Sequence, residues 1–301
     1  METKNGTKEN VMIMKRKLNK IYTPPSQPGF LGVGHVARPV IQIDFTESDP
    51  FIMLMDDMLN KKDDVPVGGP HPHAGFETVS LLLDGEMGEG SHTLKRGDFE
   101  MMTAGRGIVH TETISHPTRM RLLQLWLNLP KNKRNALPRI QKLPAENVPQ
   151  ASADGVSISV YSGSLAKINS PIKNHTPIVI GEIRMKSLAS TVLEIPANFN
   201  TFLYVIDGSV QVGEEGKVLS MDEVGWLDRH QESGNSELIL KAGDDGARLV
   251  LYSAEPQDHD IVAHGPFVAD NMEDIRQLYA DFRQGKMEHI SEVPEEQRIV
   301  F

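Results

Sequence analysis

The chain has 301 residues, of which 39% are hydrophobic and 24% charged, values of an ordinary globular protein with room for one large or two average domains. No apolar run approaches the roughly 18 residues needed to cross a bilayer, and 41 acidic against 31 basic side chains give a formal charge of -10, which opposes binding to a nucleic-acid phosphate backbone. The chain lacks cysteine, so disulfides, thiolate nucleophiles and thiolate metal ligands are excluded and any metal must sit on His, Asp or Glu.

Residues 1–20 carry Lys4, Lys8, Lys15, Arg16, Lys17 and Lys20 without the apolar core and small-residue cleavage site of a secretory leader. They read as a solvated basic tail running into the first strand, and the expected location is cytoplasmic. From about residue 28 to 265, short runs rich in Val, Ile, Leu and Thr are broken by Gly, Asp and Pro, an all-β pattern. Asp84-Gly85 and Asp207-Gly208 each separate two apolar runs, the signal of a tight hairpin. The two sites echo each other without a gap, Leu81-Leu82-Leu83-Asp84-Gly85 against Tyr204-Val205-Ile206-Asp207-Gly208. Arg121-Leu122-Leu123 likewise echoes Arg248-Leu249-Val250, which suggests duplication of a whole β domain. Pro130, Pro138, Pro144 and Pro149 crowd the stretch between the halves. The expected organisation is a tail at 1–20, a first domain at 21–135, a linker at 136–150 and a second domain at 151–301. Met272, Ile275, Leu278, Tyr279 and Phe282 predict a terminal helix, capped by Asn271 and stopped at Gly285.

The chemistry concentrates in Gly68-Gly69-Pro70-His71-Pro72-His73-Ala74-Gly75-Phe76-Glu77. On extended backbone His71 and His73 project from one face and can share a metal. After the turn Ala104-Gly105-Arg106-Gly107, His110 and Glu112 form a second pair of the same parity. Antiparallel strands of a barrel bring two such pairs together. Three imidazoles and a carboxylate suit iron, manganese, cobalt, nickel, copper or zinc, and a six-coordinate ion keeps two open positions. Glu77 also has the spacing and parity to supply the carboxylate if its strand is unbroken, whereas a bulge at Gly75 turns it off the metal-facing side.

The runs His71–Val79, Met102–Glu112 and Leu123–Pro130, with Gly265-Pro266-Phe267-Val268 before the terminal helix, resemble the pirin family. The resemblance is specific in the first half and looser in the second. It implies two tandem cupin (double-stranded β-helix, or jelly-roll) barrels, with Fe(II) held in the N-terminal barrel by His71, His73, His110 and Glu112. It therefore selects Glu112 as the acid, leaving Glu77 a supporting or strand-surface role. One departure is Ala74, where many pirins carry Arg, which bears on substrate contacts at the pocket mouth. In the second half Glu194 and Pro196 stand where His71 and His73 would fall, so that barrel is expected to hold no metal. His230, His259 and His264 read as structural or surface residues.

The activity implied is dioxygenation of a flavonol such as quercetin, with dioxygen as co-substrate, Glu112 as the base and Met101, Met102 and Trp126 as candidate pocket walls. The competing expectation is a non-enzymatic regulator whose metal state alters a protein-binding surface. Sugar isomerisation is a third, weaker reading, since cupin barrels host many chemistries.

Overall fold

A computed structural model describes residues 13–88 and 93–301; Lys4 and Lys8 lie outside them. The chain builds two large sheets. The first has eight strands, with Phe76–Asp84, Thr118–Asn128 and Phe51–Lys61 adjacent at its centre. The second has ten, centred on Ile178–Met185, Asn235–Ala254 and Asn200–Val212. One continuous apolar core joins them: Phe51, Leu54, Val79, Leu81 and Leu125 from the first domain meet Tyr161, Phe202, Tyr204, Trp226 and Tyr252 from the second. The chain is thus all-β with two cupin domains and a C-terminal α-helix. Among the described residues, no helix is long and apolar enough to cross a membrane.

The internal echo is a true structural repeat. Asp84 lies opposite Arg121, with Leu82 and Leu81 opposite Leu122 and Leu123. Asp207 lies opposite Arg248, with Val205 and Tyr204 opposite Leu249 and Val250. In both ladders the register slips at the same place, between the Arg and the following Leu. The two Asp-Gly pairs therefore mark β-bulges and not the expected tight hairpin turns. Gly85 and Gly208 hold φ of 81° and 69°, and a Cβ at either would strike the backbone of the facing strand. The same positive φ that favours Asn-Gly and Asp-Gly in hairpins is demanded by this kind of bulge, so the dipeptide alone does not separate the two.

The termini cross over. Met14–Lys15 runs parallel to Asn235–Ala254, and Leu18–Tyr22 pairs antiparallel with Val224–Leu227, so the segment read as a free basic tail is woven into the second sheet. Arg16 is 1% exposed. Its guanidinium donates to the carbonyls of Pro196, Ala197 and Phe199, and burial pulls its pKa down to about 10. The stretch expected as a linker contains the strand Arg139–Leu143, which pairs with Phe99–Thr103 in the first sheet. Pro138 and Pro144 flank that strand and do not interrupt it.

At the other end Glu288–His289 pairs with Ile108–Val109, and Arg298–Val300 with Arg139–Leu143. The helix Met272–Arg283, capped as expected by Asn271 Oδ1 accepting from the Asp274 amide at 3.0 Å, buries Ile275 against Ala74, Phe267 and Met287. It docks on the first domain, although its place in the sequence groups it with the second. Its apolar stripe is narrower than expected, because Met272 and Phe282 stay exposed.

A buried polar cluster fixes how the domains sit. Asp56, fully buried, accepts from Arg121 at 2.9 and 2.7 Å and from the hydroxyl of Tyr204, in the other domain, at 2.6 Å. The repeat supplies a counterpart, Glu182 held by Arg248 and by Tyr161 at 3.2 Å. Burial and the neighbouring Asp56 raise the Tyr204 phenol above its usual range, so it remains a donor. A hydrogen bond to a buried charge contributes about 1.5–3 kcal/mol, and Tyr204→Phe is expected to lower unfolding stability by that amount in urea denaturation. An unchanged midpoint would show the bond to be without net effect.

Candidate metal centre

The two histidine-bearing segments form a small sheet of their own. His71–His73 pairs antiparallel with Ile108–His110, in a register that sets His71 opposite His110 and His73 opposite Ile108. Two glycine turns clasp behind it, the Gly75 amide donating to the Gly105 carbonyl at 2.7 Å. Gly75 has φ of 87°, and a Cβ there would strike the Val268 carbonyl, so only glycine permits the chain to turn so sharply beneath the arm from the C-terminal segment. Arg134 locks this corner, donating to the Gly75 carbonyl at 2.8 Å and to Asp270 at 3.0 Å.

As a result the three imidazoles converge, with one ligand nitrogen from each of His71, His73 and His110 all within 4.8 Å of one another. His71 donates from Nδ1 to the Gly69 carbonyl at 2.9 Å, which leaves Nε2 as its ligand atom. His73 is 5% exposed. Burial first, then the neighbouring imidazoles of His71 and His110, push its pKa down to about 2, so it is neutral, as a metal ligand must be. Its Nδ1 is buried without a hydrogen bond of normal geometry. Several imidazoles in one desolvated pocket cannot all carry charge, and a shared divalent cation fits this donor set.

The two candidate carboxylates part company. Beyond Gly75 the strand Phe76–Asp84 belongs to the eight-stranded sheet. Phe76 faces His73, with ring centroids 5.4 Å apart. Glu77 shares the parity of Val79 and Leu81 and points the other way, toward the layer between the domains. It is fully buried, accepting from Thr103 Oγ1 at 2.7 Å with Arg139 3.9 Å away, and burial raises its pKa to about 6. Glu112 lies beyond the end of its strand and lines the same cavity as His71 and His73, but its carboxylate is not part of the close group that the three imidazoles form. Gln124 holds it through a 2.9 Å hydrogen bond. Burial raises its pKa to about 7, opposed by His71 and reinforced by Asp57.

That cavity measures about 640 Å³. Trp126 walls it, stacked on Phe76 at 4.2 Å and edge-on to His73 at 5.3 Å, alongside Leu31, Met53, Met55 and Val67. Met101 and Met102 do not reach it. Met101 belongs to the core between the sheets and Met102 to a cluster with Ile140 and Ile290. Ala74 is likewise away from the mouth, wholly buried beneath Phe267. Phe30, 78% exposed, stands at the cavity edge on a loop tied down by His35, whose Nδ1 accepts from the Leu31 amide at 3.0 Å while Nε2 bonds Asp57 at 2.9 Å.

Asp57, Gln124 and Pro266 also line the site and escaped the sequence reading. Gln124 was within reach of it, since it has the parity of Trp126. Pro266 was not, because it arrives from a distant segment. In the second half Glu194 is exposed on a strand facing Asn235–Ala254. His259 bonds Arg134 at 3.2 Å, His264 bonds Tyr279 at 3.1 Å, and His230 lies 3.3 Å from the Lys15 carbonyl.

The pirin family model matches residues 35–127, and the model of the pirin C-terminal cupin domain matches residues 180–288. The chain belongs to the pirin family. Mouse Pirin is 34% identical over 269 residues, covering 85% of this chain and 89% of the mouse protein. A structure of quercetin 2,3-dioxygenase from Acinetobacter baumannii superposes with a TM-score of 0.79 at 25% identity, covering 90% of this chain and 98% of that one. The Escherichia coli pirin YhhW, solved in complex with nickel(II), shares the pirin fold at a TM-score of 0.56 and 17% identity, covering 79% of this chain and all of that one.

Proposed function

We propose that this pirin is a metal-dependent dioxygenase acting on a flavonol of the quercetin type, with one Fe(II)-type ion held by His71, His73, His110 and Glu112. The observation that carries the reading is three converging imidazoles, two of them lining a largely apolar cavity that also holds Glu112. The similarity to the Acinetobacter enzyme supports the choice of substrate. When bound, the ion supplies Lewis acidity toward the flavonol oxygens and a path for electrons to dioxygen.

The chain's own residues do the rest. Leu31, Met53, Met55 and Trp126 offer flat apolar surface to the fused rings and keep water from them. Glu112, on loosening from the ion, is the carboxylate at the cavity wall that would take the proton of the flavonol hydroxyl, and Gln124 fixes which oxygen faces the cavity. Anaerobically iron-loaded protein mixed with quercetin in air should bleach the flavonol absorbance and release carbon monoxide. No turnover across a panel of flavonols would remove the enzymatic reading.

One observation favours a second reading, a metal-dependent regulator acting through protein contacts. Phe30 and Val33 are 78% and 98% exposed on the loop beside the cavity, apolar surface suited to a partner protein. Such a regulator would show metal-dependent partner binding and no flavonol consumption.

A further inference from the structure

A second cavity, of about 860 Å³, opens on the other side of the first sheet at the junction of the domains. It shares no lining residue with the metal cavity. The strand Phe51–Lys61 serves both, showing Met53, Met55 and Asp57 to the metal side and Met58 to this one. Five arginines line it, Arg38, Arg96, Arg119 and Arg121 from the first domain and Arg248 from the second, against a single lining carboxylate, Asp84. On a chain of net charge -10 this is a local concentration of guanidinium groups, three of them matched by carboxylates behind the wall.

The arginines are not equivalent. Arg121 is committed to Asp56, Arg248 to Glu182, and Arg38 to Asp222 and the Tyr204 hydroxyl. Arg38 and Arg121 reach Asp222 across the junction, Arg248 is paired within its own domain, and the three form a rigid, charge-matched wall. The guanidinium groups of Arg96 and Arg119 have no ion-pair or hydrogen-bond partner among the described residues. Two uncommitted guanidinium forks above an apolar floor of Val36, Met58 and Leu83 match a charged oxyanion on a small organic body, since guanidinium binds carboxylate and phosphate oxygens through paired hydrogen bonds.

We infer that the junction cavity binds a small organic oxyanion, a polycarboxylate or a phosphate, through Arg96 and Arg119. The site needs both domains in register, because Arg248 is the second domain's contribution to its wall.

Calorimetric titration of the metal-loaded full chain with succinate and, separately, inorganic phosphate, both weak chelators that leave the bound ion in place, tests this and tells the two sources apart. One equivalent of at least one probe should bind with Kd below about 1 mM. Affinity should fall as added salt screens the arginines. The double variant Arg96→Ala, Arg119→Ala should weaken binding about tenfold or more, because each charge-assisted hydrogen bond to the anion contributes roughly that factor. Both side chains are exposed, so the variant should keep wild-type metal content and melting temperature. Binding of neither probe below about 1 mM, or equal binding by the double variant, would overturn the proposal. The flavonol assay does not bear on it, and loss of that activity would leave this site standing.

Discussion

Replacing His71 with alanine is expected to empty the metal centre and abolish flavonol turnover. Residues that merely orient metal ligands already change affinity about 10–100-fold, so losing one of three imidazoles should weaken binding by at least about 100-fold. The half-buried His71 gives up only one backbone hydrogen bond, to Gly69, and the fold should survive unchanged by circular dichroism. Elemental analysis of protein purified without chelating resin reads the result directly. Full metal stoichiometry in the variant would exclude His71 as a ligand, and the assignment of His73 and His110 would fall with it, since the three nitrogens form one cluster.

Glu112→Gln should divide into two measurable effects of opposite sign. With metal present, quercetin consumption should fall by about 100-fold or more, the usual scale for loss of a positioned base. Without metal, the same change should stabilise the fold at high pH. The folded-state pKa of Glu112 is raised to about 7 from 4.5, so between those values the native protein binds more protons than the unfolded chain and its stability falls as pH rises. Glutamine stays neutral. The variant should match the metal-free wild type near pH 4.5 and exceed it by about 2 kcal/mol at pH 8, the shift being discounted for partial exposure. Glu100, raised to about 7 chiefly by burial and then by Glu112, should relax at the same time and add to the gain. A difference independent of pH in thermal melts would show that Glu112 is not held in this environment.

Much of the site was legible because its signals are local. Two histidines two residues apart on extended backbone must share a face, and a Gly-rich turn before a second such pair is a short-range pattern. Glu77 and Glu112 could not be separated that way. The same alternation that places His71 beside His73 places Glu77 beside them too, until the chain bends at Gly75, where the Val268 carbonyl of a distant segment comes so close that only a residue without a Cβ fits. Trp126 reached the cavity as expected while Met101 and Met102 did not, since their strand spends one face on the interdomain core and the other beneath the C-terminal arm.

The domain count followed from the gapless echo between Leu81–Gly85 and Tyr204–Gly208, which the matching ladders to Arg121 and Arg248 place in equivalent positions. Which sheet each terminal segment joins did not follow. Residues 14–22 carry the charge of a tail, yet Arg16 is buried because three carbonyls of the second domain converge on it, and its own neighbours give no hint of that. Periodicity and turn chemistry, which act over a few residues, thus sufficed for the all-β class, the duplication and the histidine triad. The turning of Glu77 away from the histidines, the exchange of both termini between domains and the arginine-lined junction depend on contacts between residues more than a hundred positions apart, and only the folded chain brings those together.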